Sequence, residues 1–287
     1  MDIIEHPDAM RSRVMEARGR SGTVGYVPTM GALHRGHRRV IQEAKKYNET
    51  VAVSIFVNPT QFDTDEDAEV YPRKVEEDHE VLRDENVDIV FEPNYEAMYP
   101  DGDVTEVHVD LPLTDRYEGE IRPRFFQGVA RIVSKFFNII PADNAYFGEK
   151  DLQQYLMLER MVEDLHFPQT VHSVPVERDQ NGVAYSSRNE AFDDQDWDLA
   201  NRTFELMQEF RNRADSLTRE DLESYRRKLN DAGLAVEYLD LVGIPEYEPT
   251  SVDDPTAVLI LAGYVGETRL KDNRPLHVES LKEMDYG

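Results

Sequence analysis

The chain has 287 residues, enough for one large domain or two modest ones, and its 58 Asp and Glu against 32 Lys and Arg leave a net charge of −26. A field of that sign repels nucleic-acid phosphates and anionic bilayers, which excludes a general binder of either. Cysteine is absent, so disulfides, thiolate metal sites and a cysteine nucleophile are excluded too. Taken from the start, residues 1–7 lack the basic and apolar regions of a secretory leader, and no apolar run approaches bilayer-spanning length. A soluble cytoplasmic protein is expected. Short apolar runs over 23–27, 50–57, 87–91, 144–147 and 170–174 read as buried strands, with helical periodicity between them over 38–47, 75–85, 128–140 and 152–165. Strands alternating with helices of this length predict an α/β fold, a parallel sheet covered on both faces.

The character changes after Pro175. Residues 176–185 read as a hairpin turning at Asn181-Gly182, followed by a Ser-Ser-Arg-Asn run and an Asp-rich helix. Helices over about 197–213 and 218–232 then lead into strands over 236–242 and 257–264. The predicted organisation is a Rossmann-like domain over 1–176 and a smaller α+β lid domain over 177–287. The acidic stretch 63–69 reads as a solvated loop.

The chemistry concentrates in the turn after the first predicted strand, Pro28-Thr29-Met30-Gly31-Ala32-Leu33-His34-Arg35-Gly36-His37. Glycines there let the backbone approach a ligand, the helix that follows presents unpaired N–H groups and a positive dipole end to an anion, and the two imidazoles can donate to phosphoryl oxygens. Neither the GxxxxGK loop nor a GxGxxG after a strand is present. The turn, residues 58–61 and residues 148–151 all fall at the C-terminal ends of predicted parallel strands, where ligands bind in such sheets.

The HxGH pattern of His34 and His37 resembles that of nucleotidylyltransferases and class I aminoacyl-tRNA synthetases. Three more blocks sharpen the likeness: Ser54-Ile55-Phe56-Val57-Asn58-Pro59-Thr60-Gln61-Phe62, Phe147-Gly148-Glu149-Lys150-Asp151-Leu152-Gln153-Gln154 and Ser186-Ser187-Arg188-Asn189. In this order and spacing they resemble the pantothenate synthetase family, which joins pantoate to β-alanine at the expense of ATP. The resemblance extends to Leu270-Lys271-Asp272-Asn273 near the C-terminus and covers essentially the whole chain.

The resemblance implies ATP binding by Met30, Gly31, Ala32, Leu33, His34, Arg35, Gly36 and His37, with His37 as the catalytic donor and His34 on phosphate beside it. It places Gly148, Glu149, Lys150 and Asp151 around phosphate and ribose, Tyr185, Ser186, Ser187 and Arg188 in a second phosphate loop, and Glu177 near adenine through its backbone. Gln61 and Gln154 match the glutamines that hold pantoate, Gln61 also bordering β-alanine. His34, His37, Lys150 and Arg188 form the implied catalytic set, and a homodimer is implied as well. The family usually has a histidine where Phe125 stands and Met or Leu where Tyr185 stands. Phe125 is therefore left out of the catalytic set, while Arg122 stays a candidate pocket residue.

Charge logic calls for Mg2+ on a tetra-anionic triphosphate. Glu76, Glu77 and Asp78 resemble the family's acidic segment near the metal, but a solvated helix face explains them equally well, so the metal ligands stay unassigned. Two rival functions remain: an adenylyltransferase acting on a phosphate ester, which would favour extra basic residues, and a nucleotide-binding regulatory module without catalysis, which would be expected to lack His37 or Lys150.

A solvated acidic shell of this density also suits a high-salt cytoplasm. Raising ionic strength from 0.1 M to 1 M shortens the Debye length from about 10 Å to about 3 Å and screens the self-repulsion of the carboxylates. The melting midpoint is therefore expected to climb with KCl, most steeply at the low end. Thermal melts across a KCl series test this, and a flat or falling midpoint would show that the acidic shell is no such adaptation.

Overall fold

In a computed structural model, residues 1–20, 22–64, 68–69, 71–102, 104–110 and 112–284 are described, and the chain divides into two compact units, Met1–Val174 and Pro175–Gly287. Part of the acidic loop predicted over 63–69, residues 65–67, lies outside the described residues.

The first unit is built on six parallel strands: β1 (Asp2–Ile4), β2 (Val24–Thr29), β3 (Thr50–Ile55), β4 (Ile89–Phe91), β5 (Asn144–Gly148) and β6 (Thr170–Val174), in the order β1-β4-β3-β2-β5-β6. Between them run α1 (Pro7–Arg20), α2 (Arg35–Tyr47), α3 (Val75–Asp84), α4 (Phe125–Ile139) and α5 (Leu152–Asp164). Alternation along β2 sends its side chains to opposite faces. Val27 joins Val40, Ile41 and Ala44 of α2 and Leu82 of α3 in one apolar cluster. Tyr26 meets Phe136 and Phe137 of α4 edge-on, at centroid distances of 6.0 and 6.5 Å, and its hydroxyl shares a hydrogen bond with Ser54 Oγ at 2.8 Å. The sheet is thus covered on both faces, as its apolar strands predict.

The order of strands fixes where a ligand can sit. β2 and β5 are neighbours, paired at Gly25 with Asn144 and Tyr26 with Ala145. From β2 the chain passes through α2 to β3 on one side, whereas from β5 it passes through α5 to β6 on the other. A crevice opens between diverging connections of this kind, beyond the C-terminal strand ends.

The second unit holds a four-stranded antiparallel sheet, β10-β9-β7-β8, made of β7 (Ala235–Gly243), β8 (Glu248–Pro249), β9 (Ala257–Val265) and β10 (Thr268–Pro275). Helices α6 (Asp194–Asn212) and α7 (Leu222–Ala232) supply Leu206, Met207, Phe210, Tyr225 and Leu229 to a core shared with Leu239, Leu241, Leu259 and Leu261.

Several expectations change at the element ends. The predicted helix over 38–47 begins three residues earlier, at Arg35, because His34 caps it. That over 128–140 begins at Phe125, and the one near 197 begins at Asp194, where Asp193 and Asp196 form a capping box. The hairpin over 176–185 is reduced to a single bridge between Arg178 and Ala184. Its turn is centred on Gln180-Asn181 and not on Asn181-Gly182, because the Asp179 carboxylate accepts the N–H groups of Asn181 and Val183, each at 2.9 Å. Among the described residues no helix is long and apolar enough to cross a membrane.

Candidate active site

The loop leaving β2 turns through two successive left-handed residues, Gly31 with φ 84° and Ala32 with φ 50°. What holds it is Asp78 on α3. This buried carboxylate accepts the N–H of Ala32 at 2.9 Å and of Leu33 at 2.6 Å. A side chain at Gly31 would also collide with it, since a Cβ there would lie 2.9 Å from Asp78 Oδ2. Burial pushes the Asp78 carboxyl upward while the two N–H donors pull it back. A solvated helix face therefore does not describe Asp78, although Glu76 and Glu77 are exposed. Its position gave a sign of this, because it stands four residues before buried Leu82 on the stripe facing the sheet.

The two histidines cap the helix they begin. His34 Nδ1 accepts the N–H of Gly36 at 3.1 Å, and His37 Nδ1 accepts the N–H of His34 at 3.2 Å, a reciprocal box with the rings 4.1 Å apart. An Nδ1 that accepts carries no proton, so each neutral ring bears its hydrogen on Nε2. The His37 imidazole is pushed down to about 3 by burial first, then by His34 and Lys150, with Asp151 opposing. It is neutral at physiological pH. The box changes one expectation: two of the first three N–H groups of α2 are not left for an anion, since the His34 side chain takes those of Gly36 and His37. The imidazole Nε2–H groups are the side-chain donors at this helix start.

The loop after β5 faces the same crevice. Gly148 ends the strand, and Glu149, Lys150 and Asp151 form a single 3-10 turn that runs into α5. Lys150 and Asp151 lie near enough for their charges to act on His37, so the fold brings the HxGH turn and the Gly-Glu-Lys-Asp block together. Glu149 points inward, where its carboxylate accepts from Ser173 Oγ on β6 at 3.1 Å, and its side chain is buried. The adjacent glutamines divide the same way. Gln153 is buried and spends its amide on Leu113 O at 2.7 Å, Arg116 O at 2.9 Å and the N–H of Glu118 at 3.3 Å, whereas Gln154 is half-buried.

Gln61 belongs to a third loop, a 3-10 turn Pro59–Gln61 after β3. Asn58, only 1% exposed, donates to Gln61 Oε1 and to Gly128 O, each at 3.2 Å, and accepts from the Tyr99 hydroxyl at 2.8 Å. This leaves Gln61 Nε2 beside Met30, 3.0 Å from Sδ. Gly128 is needed for the fit, because a Cβ there would come within 2.4 Å of Thr60 O. Arg122 braces the turn from outside. Its Nη2 donates to Gln61 O at 3.2 Å, it pairs with Asp63 at 3.2 Å and Glu118 at 3.3 Å, and its guanidinium lies 4.3 Å above the Phe125 ring. Phe125 thus supplies a stacking surface for Arg122, which in turn holds the backbone of Gln61.

In the second unit, Glu177 and Tyr185 are joined by a hydrogen bond from Tyr185 N–H to Glu177 O at 3.1 Å. Ser186 caps the 3-10 turn Ser187–Ala191 by accepting the N–H of Arg188 at 3.3 Å, Asn189 Nδ2 ties the turn to Ala184 O at 3.0 Å, and Arg188 is exposed. Among the described residues no group of three or more His, Asp and Glu suits a metal ion.

Comparison with known proteins follows the same outline. A profile of the pantoate-beta-alanine ligase family matches residues 2–275. A pantothenate synthetase of a Sulfurihydrogenibium species is 41% identical over 278 residues, covering 95% of this chain and 99% of that protein. The crystal structure of pantothenate synthetase from Thermus thermophilus superposes with a TM-score of 0.90 at 38% identity, covering 97% of this chain and all of that one. The pantoate-beta-alanine ligase of Francisella tularensis, solved with Beta-gamma ATP and Beta-alanine, gives a TM-score of 0.84 at 31% identity over 97% of this chain and 98% of that one.

His37 also sets a pH dependence. Its folded value of about 3 lies below the ordinary imidazole value of 6.5, so between these limits the unfolded chain binds a proton that the folded chain refuses. Stability from this group is complete above about pH 6.5 and is lost as pH falls toward 3. Denaturant titrations from pH 7.5 to 4 should show a smaller loss in His37→Gln than in the parent protein, and equal slopes would overturn the neutral assignment.

Proposed function

Because the chain belongs to the pantoate–β-alanine ligase family, we propose that it condenses (R)-pantoate with β-alanine and ATP to give pantothenate, AMP and pyrophosphate. A carboxylate does not react with an amine at neutral pH, so the first half-reaction must activate it. A pantoate oxygen attacks the α-phosphorus of ATP, the bond to the bridging oxygen breaks, and pyrophosphate leaves. The β-alanine amine then attacks the acyl carbon of the pantoyl adenylate and AMP departs. The observation that carries this reading is the convergence of the β2 and β5 loops, close enough for Lys150 and Asp151 to act electrostatically on His37.

The barrier of the first step is charge gathering on phosphoryl oxygens, which preorganised donors and cations lower. His34 and His37 are assigned as neutral Nε2–H donors to phosphate and Lys150 as the cation, with Asp151 toward the ribose. Met30, Gly31, Ala32, Leu33, Arg35 and Gly36 line the same nucleotide site. Since Ala32 and Leu33 give their N–H groups to Asp78, their part is to shape the loop. Gly148 and Glu149 complete the site through the backbone. Gln61 and Gln154 are assigned to pantoate, neutral amides suited to a hydroxy acid, and Gln61 borders β-alanine. In the smaller unit, Ser186, Ser187 and Arg188 are assigned to phosphate and Glu177 and Tyr185 to the adenine side, with that unit acting as a lid. Magnesium is proposed to arrive as part of MgATP, held by phosphate and water, in keeping with the dispersed acids around α3. A homodimer and a cytoplasmic location belong to the same proposal.

Pantoate-dependent exchange of pyrophosphate into ATP, run without β-alanine, tests the first half-reaction and the substrate together. The full reaction should release AMP and no ADP; ADP with phosphate would indicate an acyl phosphate and sink the adenylate route. His37→Ala and Lys150→Ala should each slow adenylate formation by about a hundredfold or more, the scale for removing one transition-state donor. Gln154→Ala should raise the KM for pantoate far more than that for ATP.

A further inference from the structure

The Leu270-Lys271-Asp272-Asn273 block has no part in the chemistry above, yet Asp272 is one of the most buried acids of the second unit. It lies on β10, and its carboxylate meets the guanidinium of Arg178 in a two-pronged pair: Nη1 to Oδ2 at 2.7 Å and Nη2 to Oδ1 at 2.9 Å. The same guanidinium donates from Nη1 to Gly182 O and from Nη2 to Asn273 O, each at 3.0 Å. Both terminal nitrogens of Arg178 are thereby fully used. The Asp272 carboxylate also accepts the N–H of Asn273 at 2.8 Å.

The sheet does not need this fork. β10 is already paired with β9 along its whole length, from Thr268 opposite Val265 to Pro275 opposite Val258. The 178–184 loop is closed on itself by short-range bonds, Asp179 N–H to Val183 O at 2.9 Å and the N–H groups of Asn181 and Val183 to the Asp179 carboxylate, and Arg178 is what fastens it to the sheet. Arg178 joins the start of that loop to its far side at Gly182 and ties both to β10. Directly beyond it lie the two segments assigned to the nucleotide: Glu177, whose carbonyl accepts from Tyr185, and the turn beginning at Ser186, held to Ala184 O by Asn189.

We infer that Arg178 and Asp272 are positioning residues for nucleotide binding, a buried fork that sets the adenine-side and phosphate loops of the smaller unit on the rigid edge of its sheet. The inference rests on the nucleotide role proposed above for Glu177 and residues 185–188. Lysine cannot replace Arg178, because a single ammonium point charge cannot span four acceptors in a plane. Asparagine at 272 keeps the shape but loses the charge and one acceptor oxygen.

Arg178→Lys and Asp272→Asn are compared with the parent in pyrophosphate exchange and in limited trypsin digestion, the latter following cleavage after exposed Arg188. A misplacement of the loop should raise the KM for ATP at least about tenfold. The KM for pantoate should stay near the parent value, and cleavage after Arg188 should become faster at temperatures well below each variant's own melting midpoint. An unchanged KM for ATP with unchanged cleavage, in either variant that folds, would overturn the inference, as would an equal rise in both KM values. If one variant does not fold, the other decides by the same split. Absence of exchange in the parent protein would instead overturn the enzymatic reading, and unchanged trypsin cleavage in the variants would still tell against the fork.

Discussion

The parallel pairing of β2 with β5 is the constraint on which the rest of the first unit depends. Two adjacent strands whose chains leave in opposite directions cannot cover the space between their ends. That gap is where the HxGH turn and the Gly-Glu-Lys-Asp block arrive, because each directly follows one of the two strands. A shift in strand order would separate His37 from Lys150 without altering a single residue of either motif.

Loops at such a gap have no ladder to satisfy their backbone, and a buried N–H or C=O left without a partner costs about 1–3 kcal/mol. A related solution recurs at each loop, a polar side chain that fixes either the loop's backbone or one of its side chains. Asp78 serves the backbone of Ala32 and Leu33. Asn58 holds the amide of Gln61, and Glu149 is locked by Ser173. Arg178 and Asp272 do this for the loop ahead of Ser186. The histidine pair needs no outside help, since each ring accepts a backbone N–H of the other's turn. Bonds of this kind hold a loop by the protein's own groups, and electrostatic catalysis in general relies on donors preorganised in that way. The low affinity of His37 for a proton follows from the same packing, so its imidazole is neutral across the physiological range.

Much of the protein was legible in its residues. The alternation of apolar runs with 3.6-period segments determined the class of fold, since a strand buried on both faces and an amphipathic helix each have one way to hide their apolar atoms. The four motif blocks, with their spacing, determined the family and named His34, His37, Lys150, Gln61 and Gln154 as candidates. Two strands at sheet edges escaped. β1 has two exposed residues in three, and β10 carries Arg269, Lys271, Asp272 and Arg274, so each is recognised only by the neighbour it pairs with, β4 and β9.

The remainder was decided by tertiary structure, and the reason is distance along the chain. Asp78 lies 46 residues from Ala32, and Asp272 lies 94 from Arg178. No local pattern records such a meeting, so Asp78 looked like a metal ligand or a solvated face until its burial was known. The inward turn of Gln153 beside half-buried Gln154, and the tautomers of two histidines that cap their own helix, likewise depend on which atoms packing places within about 3 Å of one another. By itself the sequence determined which chemical groups are present and which elements carry them. Folding alone decided which of those groups are consumed in holding the loops and which are left to act.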